Sequence, residues 1–194
     1  MSAPLIGLAS SSPRRQTLLD QIGVPYRILP VCVEERQLPN ESPEAHVLRL
    51  ARAKAQAGRR LTDSDQLPVL GADTVVALGA EAMGKPRDRQ HGLDALARLS
   101  GRRHRVLSAV AVVGAKEETR LSVSAVTFRQ ITAAEREAYW ETGEGIDKAG
   151  GYAIQGRAAA FVAHLAGSYS GVMGLPLYET SELLREFGID VFRP

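Results

Sequence analysis

An apolar segment, Leu5 to Ala9, runs into Ser10-Ser11-Ser12 and then Pro13-Arg14-Arg15. Pro13 suits the first position of a helix and Ser12 suits its N-cap. Two arginines there are the wrong charge, because the exposed N–H groups of a helix N-terminus already carry partial positive charge. They make sense if an anion lies among them. Serine hydroxyls, backbone N–H groups and two guanidinium forks together suit a phosphate. The plainer alternative is a pair of solvated arginines on a surface helix.

Three further places break local rules. Between Pro43 and Gly58, a helical period of about 100° per residue puts Val47, Leu50, Ala51, Ala55 and Gly58 on one stripe. Lys54 falls within that stripe, either snorkelling at the core edge or held as a cation in a cleft. Asp73 sits inside an apolar strand pattern, Val69 to Leu78, where a buried charge needs a partner or a metal. Gly71, two residues earlier on the same face, leaves room for something to approach. The alternative is an edge-strand aspartate pointing to water. The turn Gly84-Lys85-Pro86-Arg87-Asp88 presents two more cations before a helix, and Glu34-Glu35 could supply a second carboxylate for a metal. Hydroxyls, cations and carboxylates in this number suit a polyphosphate with a divalent cation. Neither a P-loop nor a Gly-x-Gly-x-x-Gly pattern is present, so phosphate must be handled another way.

The elements that would carry these residues alternate between strand and helix patterns. Strands are expected near 5–9, 26–30, 69–78, 106–113, 122–128 and 159–165, with helices near 13–22, 43–58, 88–99, 133–141 and 177–186. The pattern predicts an α/β fold. The hairpin-like middle, Val106 to Phe128, predicts a mixed sheet. Gly143 to Gly156 reads as an ordered loop anchored by Tyr152 and Ile154.

A chain of 194 residues fits a single domain spanning 1–194, and 44% apolar with 24% charged residues is ordinary for a globular protein. A net charge of +2 and 5% aromatics speak against a nucleic-acid partner. Cys32 is the single cysteine, so no intrachain disulfide can form; it reads as a small half-buried hydrophobe. The four histidines lack metal-ligand spacing. No run is long enough to cross a membrane, and the N-terminal apolar stretch is too short for a signal peptide. A cytoplasmic enzyme or binding protein, with no membrane partner, is the expectation.

Several motifs occur together in order: Ser10-x-Ser12-Pro13-Arg14-Arg15, Glu35, Lys54, Gly71-Ala72-Asp73-Thr74, Gly84-Lys85-Pro86, Asp147 to Gly156, and Gly174-Leu175-Pro176. From about Leu5 to Phe187 the sequence resembles the Maf family, the septum-formation-inhibitor-like nucleoside triphosphate pyrophosphatases. The resemblance implies hydrolysis of a nucleoside triphosphate to monophosphate and pyrophosphate, aided by a divalent cation, with magnesium expected and manganese or cobalt as alternatives. It implies a Maf/ITPase-like fold, a mixed twisted sheet flanked by helices with two lobes around a cleft, and a homodimer. The family's catalytic aspartate falls on Asp73. Its phosphate-handling residues fall on Ser10, Arg14, Arg15, Lys54 and Lys85, and its carboxylates near the metal on Glu35 and Asp73.

The family divides by substrate. A dTTP/UTP group carries Arg, Thr and Gln at three positions, matched here by Arg14, Thr74 and Gln155. A 7-methyl-GTP group typically has tryptophan in place of Arg14 and differs at the other two. Gln155 offers both a donor and an acceptor, enough to read a pyrimidine edge. The competing readings are 7-methyl-GTP hydrolysis, a broad housekeeping role on modified pyrimidine nucleotides, and a non-catalytic nucleotide sensor that regulates cell division.

Overall fold

The computed structural model describes residues 5–62 and 67–192. Seven strands form one mixed sheet among the described residues: β1 (Ile6–Leu8), β2 (Tyr26–Ile28), β3 (Val69–Leu78), β4 (Glu81–Met83), β5 (Arg103–Val113), β6 (Glu117–Phe128) and β7 (Val162–Ala166). Their order is β2-β1-β3-β5-β6-β7, with β4 beside the far end of β3. β1 pairs in parallel with β2 and β3, while the remaining pairings are antiparallel. The parallel edge and the long β5–β6 hairpin thus meet at β3, the mixed arrangement that the sequence pattern predicts. Six α-helices accompany the sheet among the described residues: α1 (Pro13–Gln21), α2 (Pro43–Arg59), α3 (Arg89–Leu99), α4 (Ala133–Trp140), α5 (Tyr169–Met173) and α6 (Leu177–Arg185).

Helix α2 starts at Ser42, whose side chain accepts from the Ala45 N–H, with Pro43 in the first turn. Its buried stripe lies on β3 and β5. The contact is built from small side chains, Ala51 and Ala55 on the helix against Ala77, Ala109 and Ala111 on the strands. Gly71 completes it: a Cβ there would stand 2.4 Å from both the Ala51 carbonyl oxygen and the Ala55 nitrogen. The space at Gly71 therefore admits helix α2, not a ligand.

The opposite face of the sheet carries two separate cores. Leu70 and Ala72 of β3 pack with Val110, Val112, α1 and α6. Val76 packs with Val106, Val126 and Phe128 under α3, α4 and the 149–161 segment. Thr74 lies between these two sets on β3, directly opposite Ser108 of β5. The two lobes separate along this line, and a cleft of about 1000 Å³ opens over it.

Most departures from the expected elements are short. β4 and α5 have three and five residues, too few to establish a period. The last strand begins at Val162 instead of residue 159, because Arg157–Phe161 forms a 3-10 turn. That turn drives Phe161 into an aromatic cluster with Phe128 and Tyr139. Cys32 is exposed, not half-buried: it follows β2 in a segment without regular structure, where its partly buried neighbours Val31 and Val33 turn inward. No helix among the described residues is long and apolar enough to cross a membrane.

Candidate active site

The cleft is lined by every residue that the family resemblance assigns to the site: Ser10, Arg14, Arg15, Glu35, Lys54, Asp73, Thr74, Lys85 and Gln155. They come from six segments separated by up to 145 positions in the chain, so the fold has assembled them. Ser12 does occupy the N-cap of α1, but its side chain makes no capping bond. The Ser10 hydroxyl instead accepts from the Ser12 N–H at 3.2 Å and from Arg15 Nη1 at 3.2 Å. Arg15 Nε donates to the Gly174 carbonyl at 2.9 Å. Burial lowers the Arg15 pKa and the Arg14 charge adds to that, against the pull of Asp73 and Glu35. Arg14 makes no hydrogen bond within the described residues. Burial also lowers its pKa, while Asp147 and Tyr139 oppose the shift.

Lys54 is a buried cation and not a snorkelling one. Its Nζ donates to Asp73 Oδ1 at 2.7 Å and to Glu35 Oε1 at 2.6 Å. Helix α2 aims it there, since Lys54 belongs to the turn that packs over Gly71, and Gly71 and Asp73 share a face of β3. Asp73 is buried and β3 is an interior strand, so the edge-strand alternative is excluded. Its second oxygen, Oδ2, has no hydrogen bond among the described residues. Glu35 also accepts from Lys85 Nζ at 3.0 Å. Burial pushes the Glu35 carboxyl upward, but the two ammonium groups outweigh it and hold the pKa down at about 2.

Gln155 is reached through a different construction. Gly150 has φ +69 and its N–H donates to the Gly84 carbonyl at 3.1 Å, which ties the loop to the Lys85 turn. Tyr152 is buried, with its hydroxyl 2.9 Å from His104 Nε2, and the Ala153 N–H donates to Tyr139 Oη at 3.0 Å. These anchors leave Gln155 exposed on the cleft wall with no hydrogen bond of its own among the described residues.

Two groups in this site carry roles that the sequence does not assign. The Gly174 carbonyl gathers Arg15 and faces Thr74 Oγ1 at 3.5 Å. Ser108 is fully buried and bonds both Thr74 Oγ1, at 2.9 Å, and the Gly171 carbonyl, at 2.5 Å. A hydroxyl amid Val106-Leu107-Ala109-Val110 was a signal of the same kind as Asp73, though weaker because serine carries no charge.

Asp73 and Glu35 converge on one ammonium, and no group of three or more His, Cys, Asp or Glu side chains placed to hold a metal occurs among the described residues. Two carboxylates with the rest of the shell left to water and phosphate oxygens is a donor set that suits magnesium. The arrangement thus pairs a carboxylate carrying an unengaged oxygen with cations suited to a bound polyphosphate.

A "dTTP/UTP pyrophosphatase" of Alkalilimnicola ehrlichii is 60% identical over 194 residues, covering 98% of this chain and 96% of the relative. One of the same name from Saccharophagus degradans is 51% identical, covering 96% and 90%. A third, from Xanthomonas campestris, is 50% identical, covering 95% and 99%. Among solved structures, the nucleoside-triphosphatase (dITP/XTP pyrophosphatase) of Mycobacterium abscessus aligns with TM-score 0.43 at 20% identity, covering 71% of this chain and 93% of that one. That likeness is too distant to bear on the site. The family model described as "Maf-like protein" matches residues 5–187, and the chain belongs to the Maf family.

Proposed function

We propose that this protein is a nucleoside triphosphate pyrophosphatase that hydrolyses dTTP and UTP to the monophosphate and pyrophosphate. The observation that carries this reading is Asp73, buried at the cleft floor with Lys54 on one oxygen and no hydrogen bond on the other among the described residues. The full-length relatives named for this activity support it.

Arg15, Lys85 and Ser10 bind and orient the triphosphate, with the guanidinium and ammonium placed where charge builds during displacement. Lys54 donates to Asp73 Oδ1 and fixes its rotamer. Asp73 Oδ2 accepts the proton of a water that attacks the α-phosphorus, and the pyrophosphate departs on the far side. Asp73 and Glu35 would hold a divalent cation, with magnesium the best fit to two carboxylates and a triphosphate. Such a cation supplies Lewis acidity and lowers the pKa of a bound water. Arg14, Thr74 and Gln155 read the base. We propose that the enzyme works in the cytoplasm, as a homodimer.

A panel of dTTP, UTP, CTP, GTP and 7-methyl-GTP with magnesium, monitored for pyrophosphate against phosphate release, tests the reading. Pyrophosphate as the sole inorganic product, fastest from dTTP and UTP, is expected. Release of single phosphates, or a preference for 7-methyl-GTP, would overturn it.

A further inference from the structure

Ser108 is fully buried in β5, directly across the sheet from Thr74 in β3. A hydroxyl has one proton to give and two lone pairs to receive. The Gly171 carbonyl can only accept, and it lies 2.5 Å from Ser108 Oγ, so the Ser108 proton is committed there. At the 2.9 Å contact between the two hydroxyls, Ser108 is therefore the acceptor and Thr74 the donor. Among the described residues, the one competing acceptor for the Thr74 proton is the Gly174 carbonyl. It is 3.5 Å away and already takes Arg15 Nε at 2.9 Å. Thr74 thus has no proton left for the cleft. Half-buried on the cleft wall, it presents lone pairs alone.

We propose that Ser108 is a positioning residue for base selection: it locks the Thr74 hydroxyl as an acceptor toward the cleft, so that a pyrimidine with a ring N3–H is taken and one with a bare N3 is rejected. The inference rests on the pyrimidine reading above and deepens it. Uracil and thymine carry an N–H between two carbonyls at that edge. Cytosine carries a nitrogen lone pair at the same place, which would face the Thr74 lone pairs with no proton between them. A site whose buried polar group is left unpaired rejects the wrong ligand strongly. Without Ser108, Thr74 can turn its proton outward and serve either base.

The test compares kcat and KM for UTP and CTP, with magnesium, in the wild-type protein, S108A, T74V and the double variant. We expect S108A to lower the UTP-to-CTP ratio of kcat/KM about tenfold, the size of one misdirected hydrogen bond. The change should lie in KM more than in kcat, because Asp73 is on the other face of the strand. In the T74V background, S108A should leave the ratio where T74V put it. Ser108→Cys fills the site with a slightly larger sulfur that bonds weakly, and should lower the ratio without opening a cavity. An equal loss for both nucleotides, an unchanged ratio in Ser108→Cys, or an S108A effect that persists in full without Thr74 would overturn the proposal. Those outcomes with normal wild-type UTP turnover defeat Ser108 alone. A wild-type protein that hydrolyses neither UTP nor dTTP defeats the pyrimidine reading itself.

Discussion

Asp73 and Thr74 are neighbours in one strand, yet they look into different surroundings. Around Asp73 everything is charged: Lys54 bridges it to Glu35, and Lys85 closes the far side of Glu35. Around Thr74 the partners are neutral, the Ser108 hydroxyl and the Gly171 and Gly174 carbonyls, with Arg15 reaching in only to bond a carbonyl. Strand alternation separates the two sets by placing successive side chains on opposite faces. Charges serve where charge must be made and moved, since their fields are strong and weakly directional. Neutral dipoles serve where a donor must be told from an acceptor, since their value depends on orientation. Adjacent positions on β3 thus divide the labour between reaction and recognition.

If that division holds, damage to one face should leave the other's signature intact. The largest effect is expected from Asp73→Asn. It keeps the shape and removes the proton acceptor, and kcat should fall roughly 10³-fold for every accepted nucleotide. The ranking of dTTP, UTP and CTP should survive in the residual rate, and thermal unfolding should still be cooperative. Near-normal turnover by this variant would remove Asp73 from the chemistry.

Gly71→Ala attacks the same face from behind. Its new Cβ would press on the backbone of α2 at 2.4 Å, and backbone cannot swing aside as a flexible side chain can. Overpacking of this kind costs about 1–3 kcal/mol. We expect a lower melting temperature and a reduced kcat, because α2 carries Lys54 away from Asp73. The UTP-to-CTP ratio should stay unchanged. A variant as stable as the wild type would mean that α2 does not depend on this close approach.

Why some of this was legible in the sequence and some was not follows from the same contrast. Arg14, Arg15, Lys54 and Asp73 announce themselves because each places a charge where local structure disfavours one. The strand and helix pattern likewise exposes the mixed sheet through the long β5–β6 hairpin. Gly71 was legible as a place of close approach but not as to what approaches, since α2 meets it from a separate part of the chain. Gln155 stands out only through family resemblance, because an exposed loop glutamine violates no rule. Ser108 is harder still. Its importance lies in the direction of a proton, which depends on a carbonyl 63 positions away. Recognition built from neutral groups leaves little trace in composition or periodicity.

The smallest expected effect falls on the recognition side, where Gln155→Glu exchanges the amide donor for a second acceptor oxygen. The loop that carries it is fixed by Gly150, Tyr152 and Ala153, so the substitution should not move the backbone. A pyrimidine carbonyl that faced the amide N–H would then face a carboxylate. The loss should be about tenfold in kcat/KM for dTTP and UTP relative to GTP, as for one spoiled hydrogen bond. The dependence of rate on magnesium concentration should not change, because Asp73 and Glu35 lie on the charged side. Titrating magnesium at saturating UTP for both proteins separates the outcomes. Equal relative rates across dTTP, UTP and GTP would remove Gln155 from base reading. A shifted magnesium requirement would mean that the charged and neutral sets share the cleft and do not divide it.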